Sequence, residues 1–164
     1  MGTEIERKFL VGVDNLPKKL PKGELYVQGY LATDPTVRIR YSEKGSWITV
    51  KGPGRMKRGE WEYKIPNKDA KEMLKLCKTK LRKIRRYVRY VTDVWHVDEF
   101  LGPLKGLWLA EIELETKNQG FQFPPWVKGE VTKDPRYSNA NLAQTLQDPH
   151  AKGGFTVEAV KWKY

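Results

Sequence analysis

Glu4, Glu6 and Lys8 alternate along Glu4-Ile5-Glu6-Arg7-Lys8-Phe9-Leu10-Val11. Read as a β-strand, this segment points successive side chains to opposite faces. Both carboxylates and the ammonium then share one face, and Ile5 and Phe9 take the other. A strand in a half-buried sheet would turn those charges to water. The same row could also hold a divalent cation on its carboxylates and an anion on its ammonium. Which reading applies depends on whether other strands supply matching rows.

They do. Arg38 and Arg40 align in Val37–Tyr41, Lys51 closes Trp47–Lys51, and Arg58, Glu60 and Glu62 alternate with Gly59, Trp61 and Tyr63. Lys83 and Arg85 share a face in Leu81–Val91, Asp98 lies in Val94–Phe100, and Glu111 and Glu113 lie in Leu107–Glu115. The opposite parity carries Ile39/Tyr41, Ile48/Val50, Trp61/Tyr63, Ile84, Trp95/Val97 and Ala110/Ile112/Leu114. One such strand is most simply solvated on its charged side. Six or more, without helices to cover both faces, point to a sheet that closes on itself around a wet, charged lumen. The apolar side would then lie under helices and loops. The expected fold is mainly β (α+β), a closed antiparallel barrel with a charged lumen and a few flanking helices.

The lumen set balances: seven cations (Lys8, Arg38, Arg40, Lys51, Arg58, Lys83, Arg85) face seven acids (Glu4, Glu6, Glu60, Glu62, Asp98, Glu111, Glu113). The formal net charge of +11, with six Trp and eight Tyr, makes nucleic acid an obvious partner by composition. That excess lies outside the lumen, however, and a row of glutamates repels a phosphate backbone. Basic and acidic groups in one cavity suit a metal–polyphosphate complex instead. Arg and Lys take phosphate oxygens, and carboxylates hold the bridging cation.

The elements that position these rows can be read in order. Asp14–Gly23 is a Pro- and Lys-rich connection, Glu24–Ala32 a strand, and Asp34-Pro35 a turn. Val37–Tyr41 and Trp47–Lys51 form a hairpin broken at Gly45. A helix is expected over Asn67–Thr79, with Asn67 as N-cap and Met73, Leu76 and Cys77 on its apolar side. Phe121–Trp126 is aromatic and leads into Gly129–Thr132, and Ser138 caps a short helix through Leu146 anchored by Leu142 and Leu146. One domain is expected over residues 1–148, followed by a tail over 149–164.

Several chemistries are disfavoured. Gly52-Pro53-Gly54 lacks the Walker spacing and its Lys-Ser/Thr. Two histidines and one cysteine support neither a nucleophilic triad nor a zinc site, and the lone Cys77 rules out an internal disulfide. Cys77 reads as core, and His96, which shares the parity of Asp98, reads as a structural or rim residue. No segment reaches the roughly 20 apolar residues of a membrane span, and no signal-peptide pattern opens the chain, so a soluble cytoplasmic protein is expected.

The ordered series resembles the CYTH domain, or triphosphate tunnel metalloenzyme, family. It runs through Glu4-x-Glu6-x-Lys8, Arg38-Ile39-Arg40, Thr49-Val50-Lys51, Arg58-x-Glu60-x-Glu62, Lys83-x-Arg85, Val97-Asp98-x-Phe100, Ala110-Glu111-Ile112-Glu113 and Glu130-Val131-Thr132. The resemblance implies an eight-stranded antiparallel tunnel and hydrolysis of a small-molecule triphosphate with Mg²⁺ or Mn²⁺. Inorganic tripolyphosphate is the expected substrate, with weaker cleavage of nucleoside triphosphates. By the same resemblance, Lys8, Arg38, Arg40, Lys51, Arg58, Lys83 and Arg85 would bind phosphates. Glu4, Glu6, Glu111 and Glu113 would hold metal and position water, supported by Glu60, Glu62, Asp98 and Glu130. Thiamine triphosphatase and adenylate cyclase are the enzyme alternatives, although no element is dedicated to reading adenine. A polyphosphate- or RNA-binding barrel is the non-enzyme alternative. Recognition should fall chiefly on the triphosphate, the lesser alternative being that an aromatic such as Trp126 stacks an organic group near the mouth. Substrate preference is left open by the short Thr116–Gln122 connection and the tail after Asp148. Oligomeric state is also open, a homodimer included.

Overall fold

Ten strands and two α-helices arise among residues 2–145, the part of the chain described by the computed structural model. The strands are β1 (Glu4–Val11), β2 (Glu24–Thr33), β3 (Thr36–Ser42), β4 (Gly45–Lys51), β5 (Lys57–Arg58), β6 (Glu60–Ile65), β7 (Thr79–Tyr90), β8 (Asp93–Phe100), β9 (Trp108–Glu113) and β10 (Val127–Glu130). The helices are α1 (Asn67–Leu76) and α2 (Asn139–Thr145). The expected domain end at 148, the tail over 149–164 and the Leu146 anchor lie outside the described residues.

Every strand pair is antiparallel, and the path runs β1-β9-β8-β7-β2-β3-β4-β6. Its two ends meet. Glu4 pairs with Arg58 and Ile5 with Lys57, while Gly2 and Glu60 exchange backbone hydrogen bonds of 3.0 and 3.3 Å. Eight strands therefore come round on themselves through residues 57–60. β10 adds to β1 further along, opposite Phe9 and Val11. In the β4–β5 connection Gly54 has φ +127°, and a Cβ there would run into the Lys57 carbonyl. Only glycine fits that close a turn.

The pairing register puts the charged rows on one face. Lys8 lies opposite Glu111, Glu6 opposite Glu113, and Arg85 opposite Asp98. Two apolar clusters cover the other face. Ile39 packs under Ala70 and Leu74 of α1 and Cys77 at its C-cap. Gly29 permits that approach, because a Cβ there would meet the Cys77 side chain at 2.8 Å. Phe9, Val11, Trp95, Val97, Ala110 and Ile112 lie under Leu114, Phe121 and Trp126 of the segment after β9. A third cluster is inside. Leu10, Tyr30, Leu81, Phe100 and Leu109 share the inner parity, and there they pack against Leu104, Leu107, Tyr137, Leu142 and Ala143. Ser138 Oγ accepts the Asn141 amide at 3.2 Å and so starts α2 as anticipated.

Four expectations change. α1 stops at Leu76 with Pro66 at its N-cap, and the Asn67 carboxamide instead accepts from Ser46 Oγ at 2.7 Å. The buried stripe is Ala70 and Leu74 of α1 continued by the C-cap Cys77, spaced i, i+4, i+7, which turns Leu76 outward at 72% exposure. Trp61 and Tyr63 do take the outer side, but on β6 it is Ile65 that packs against the α1 cluster, and Trp61 and Tyr63 stay exposed. Trp126 is buried among Trp95 and its neighbours, so it cannot stack a ligand at the mouth.

Candidate active site

A cavity of about 250 Å³ opens inside the ring of strands. Its wall includes Glu4, Glu6 and Lys8 from β1, Arg38 and Arg40 from β3, and Lys51 from β4. Arg58, Glu60 and Glu62 from β5 and β6, Lys83 and Arg85 from β7, and Glu111 and Glu113 from β9 complete the charged lining. Thirteen of the fifteen residues expected at the site thus converge on one space.

The other two do not reach it. Asp98 is fully buried behind the wall, where it accepts from Lys83 Nζ at 2.7 Å and from Arg85 Nε and Nη2 at 2.8 Å each. It holds two cations in place and has no route to a ligand. Glu130 lies across β1 from Phe9, on the outer face, in a two-pronged bond to Arg7 at 2.6 and 2.8 Å. Its motif suggested the lumen, but its parity is that of Phe9. His96 also stays out of the lining, 3.4 Å from Arg85 Nη1, and burial and Arg85 lower its pKa.

The β1/β9 wall is acidic. Burial pushes the Glu4 carboxyl up, but Lys51 Nζ at 3.0 Å and Arg58 Nε at 3.1 Å outweigh it and hold the pKa at about 2. Burial likewise raises Glu111, and Lys8 at 3.4 Å with Arg85 at 3.1 Å brings it well below the usual carboxylate range. Glu113 is pushed up by burial and by Glu4 and Glu111. Glu6 is the exception. It is buried, has no ion pair among the described residues, and faces Glu113 across the ladder. Burial, Glu111 and Glu4 raise it to about 8.

The remaining wall is basic. Arg38 reaches Thr49 Oγ1 at 3.2 Å and Glu62 at 3.4 Å, Arg40 reaches Glu62 at 3.6 Å, and Lys51 reaches Glu60 at 3.1 Å. Lys8 Nζ also donates to the Tyr137 carbonyl at 3.1 Å, tying β1 to the approach to α2. Lys83 is lowered to about 8 by burial and Arg85, against the pull of Asp98. Arg38 Nε and Arg40 Nε are buried without a hydrogen-bond partner among the described residues. The guanidinium and ammonium groups of this wall suit the oxygens of a phosphate chain.

The acids suit a hard divalent cation, since their oxygens are the ligands Mg²⁺ and Mn²⁺ take. Among the described residues no three carboxylates form a ready-made cage. Mg²⁺ commonly uses one or two carboxylates and completes its shell with water and substrate phosphate. Glu6, an acid among acids without a cation, is the group such an ion would satisfy.

Sequence reasoning missed Gln28 and Tyr30 of β2, Arg55, and Ser138, Asn139 and Asn141 at the start of α2, all of which line the cavity. Tyr26-x-Gln28-x-Tyr30 does alternate, a signal hidden by its lack of charge. Arg55 sits in an irregular loop where no periodicity operates.

A ring of antiparallel strands around a mixed-charge interior defines a tunnel-type barrel with a polar lumen, and comparison identifies the family. Residues 2–146 match the CYTH domain, and the chain belongs to that family. It is 46% identical over 149 residues to the inorganic triphosphatase of Acetivibrio thermocellus, covering 88% of this chain and 95% of that protein. It is 35% identical over 156 residues to the inorganic triphosphatase of Nitrosomonas europaea, covering 88% of this chain and 99% of that protein. A crystal structure of an inorganic triphosphatase superposes with a TM-score of 0.64 at 32% identity, covering 87% of this chain and 95% of that one.

Proposed function

We propose that the protein hydrolyses inorganic tripolyphosphate to pyrophosphate and phosphate with Mg²⁺ or Mn²⁺, and cleaves nucleoside triphosphates more slowly. One observation carries this reading. Charged side chains of both signs dominate the cavity lining, with carboxylates concentrated on β1 and β9 and most cations on the facing strands, so it addresses phosphate and metal. The inorganic triphosphatases similar to this chain over nearly their whole length support it.

Lys8, Arg38, Arg40, Lys51, Arg58, Lys83 and Arg85 would hold the phosphate chain and stabilise charge on the transferring phosphoryl group and the leaving pyrophosphate. Asp98 keeps Lys83 and Arg85 aimed inward. Glu4, Glu6, Glu111 and Glu113 would hold the divalent ion, with Glu60 and Glu62 beside the cations they pair. The ion, when bound, neutralises phosphate charge and acidifies water. A water proton passes to a carboxylate of the β1/β9 wall as the new P–O bond forms. The anhydride P–O bond breaks and its electrons leave with pyrophosphate.

The test is phosphate release from tripolyphosphate, ATP and thiamine triphosphate at matched Mg²⁺ and Mn²⁺. Tripolyphosphate should have the highest kcat/KM, and EDTA should abolish turnover. Cyclic AMP with pyrophosphate as the main ATP products would overturn the hydrolase reading. A preference for thiamine triphosphate would keep the chemistry and replace the substrate.

A further inference from the structure

Arg40 is held differently from its neighbours. Arg85 is locked by two 2.8 Å bonds to Asp98 and one of 3.1 Å to Glu111. Among the described residues, Arg40 has a single acid within reach, Glu62 at 3.6 Å, and its Nε has no partner. Two rings hold it instead, Trp47 and Tyr26, the latter also 5.8 Å from the Arg85 guanidinium carbon. The Arg40 guanidinium carbon lies 4.9 Å from the Tyr26 ring centroid and 5.0 Å from that of Trp47.

Both rings are built into the inner face. Trp47 lies directly opposite Arg40 on β4, and Tyr26 is two residues from Gln28, the opposite neighbour on β2. Each is braced. The Tyr26 and Tyr87 hydroxyls lie 3.2 Å apart, and the Trp47 indole lies so close to Gly45 that a Cβ there would fall within 2.7 Å of it. Arg40 lines the cavity, while neither ring does. Ring faces orient a guanidinium without consuming its N–H groups, whereas an acid spends them.

We propose that Tyr26 and Trp47 are positioning residues that clamp Arg40, leaving its terminal N–H edge for a phosphate oxygen of the substrate. The clamp rests on the triphosphatase reading, and it serves the phosphate chain whatever is attached to it. It acts on the ground state and the transition state alike, so it sets KM more than kcat.

The experiment compares Trp47→Leu, Trp47→Phe and Tyr26→Leu with wild type on tripolyphosphate and ATP, and repeats Trp47→Leu in an Arg40→Ala background. Trp47→Leu should raise KM about tenfold for both substrates with a smaller change in kcat. Tyr26→Leu should act in the same direction, and Trp47→Phe, which keeps a ring face, should recover most of the loss. In the Arg40→Ala background the Trp47 change should add nothing. A loss confined to ATP would make Trp47 a base-stacking residue and overturn the clamp, as would full additivity with Arg40→Ala or unchanged KM in Trp47→Leu. Tripolyphosphate affinity by calorimetry needs no turnover, so it tests the clamp even if wild type proves inactive on that substrate. Thermal unfolding shows whether each variant folds, and Trp47→Phe carries the comparison if Trp47→Leu does not.

Discussion

The interior of the barrel has two territories made by the same strands. On β1 Leu10 lies two positions beyond Lys8, and on β7 Lys83 lies two positions beyond Leu81. On β8 Asp98 is followed two places on by Phe100, and on β9 Leu109 precedes Glu111 by the same step. Each strand therefore crosses a boundary while keeping one parity. On one side the inner residues interdigitate with Tyr137, Leu142 and Ala143 into a dry core. On the other they remain apart around a cavity and satisfy one another through ion pairs. A hollow barrel forgoes core inside itself. Here the filled half restores it, which lets the charged half stay open for chemistry.

Asp98 sits on the boundary, and removing it should have the largest effect. Asp98→Ala leaves Lys83 and Arg85 buried without their acid and should cost about 3–5 kcal/mol of stability together with activity. Denaturant unfolding with parallel assays of turnover checks it. A stable, active Asp98→Ala protein would dissolve the boundary between the two halves.

Leu142→Ala, in the filled half, should cost roughly 2–4 kcal/mol of stability by leaving a cavity. Turnover per folded molecule, assayed well below the melting temperature, should stay near wild type. Glu6→Gln, in the charged half, should do the reverse. It should lower kcat about a hundredfold, roughly 2–4 kcal/mol of transition-state stabilisation, with no loss of stability. Equal damage to both properties by both variants would erase the contrast.

A pH series sharpens it further. In metal-free protein the Glu6 carboxyl is raised to about 8 from 4.5. Its contribution to stability is present in full below the unfolded pKa and is lost as pH rises through the folded one, because the native state keeps a proton the unfolded chain has released. With EDTA present, the melting temperature of wild type should therefore fall between pH 5 and 8 relative to Glu6→Gln. Parallel melting curves would show that Glu6 does not titrate in that window.

The smallest effect lies outside both halves. Val91, exposed in the β7–β8 turn, holds φ at +54°, a region costly for a β-branched residue. Val91→Gly should stabilise the protein by about 1 kcal/mol and leave KM and kcat unchanged, as a calorimetric scan and a kinetic assay would show.

How far this was legible depended on contrast between faces. Rows such as Glu4/Glu6/Lys8 and Glu111/Glu113 announced the charged half, because charge alternating with apolar residues marks a strand whose two faces meet unlike surroundings. The filled half gave no such signal. Leu10 sits in the run Phe9-Leu10-Val11, where both faces are apolar and parity carries no information. Tyr26, Gln28 and Trp47 face inward without formal charge, so the clamp around Arg40 needed coordinates. Glu130 misled because its neighbours in sequence resembled a family motif, while its ladder partner Phe9 set its direction.

The charge balance of the interior separates how a ligand arrives from how it stays. The eight cations and seven acids of the lining, with Asp98 behind it, nearly cancel at a distance, so most of the +11 lies outside the interior. Long-range attraction of a polyanion is thus exerted by the exterior, and at 0.1 M ionic strength it fades within about 10 Å. The grip is exerted at contact by buried, poorly screened groups. Added salt accordingly slows capture far more than it hastens escape.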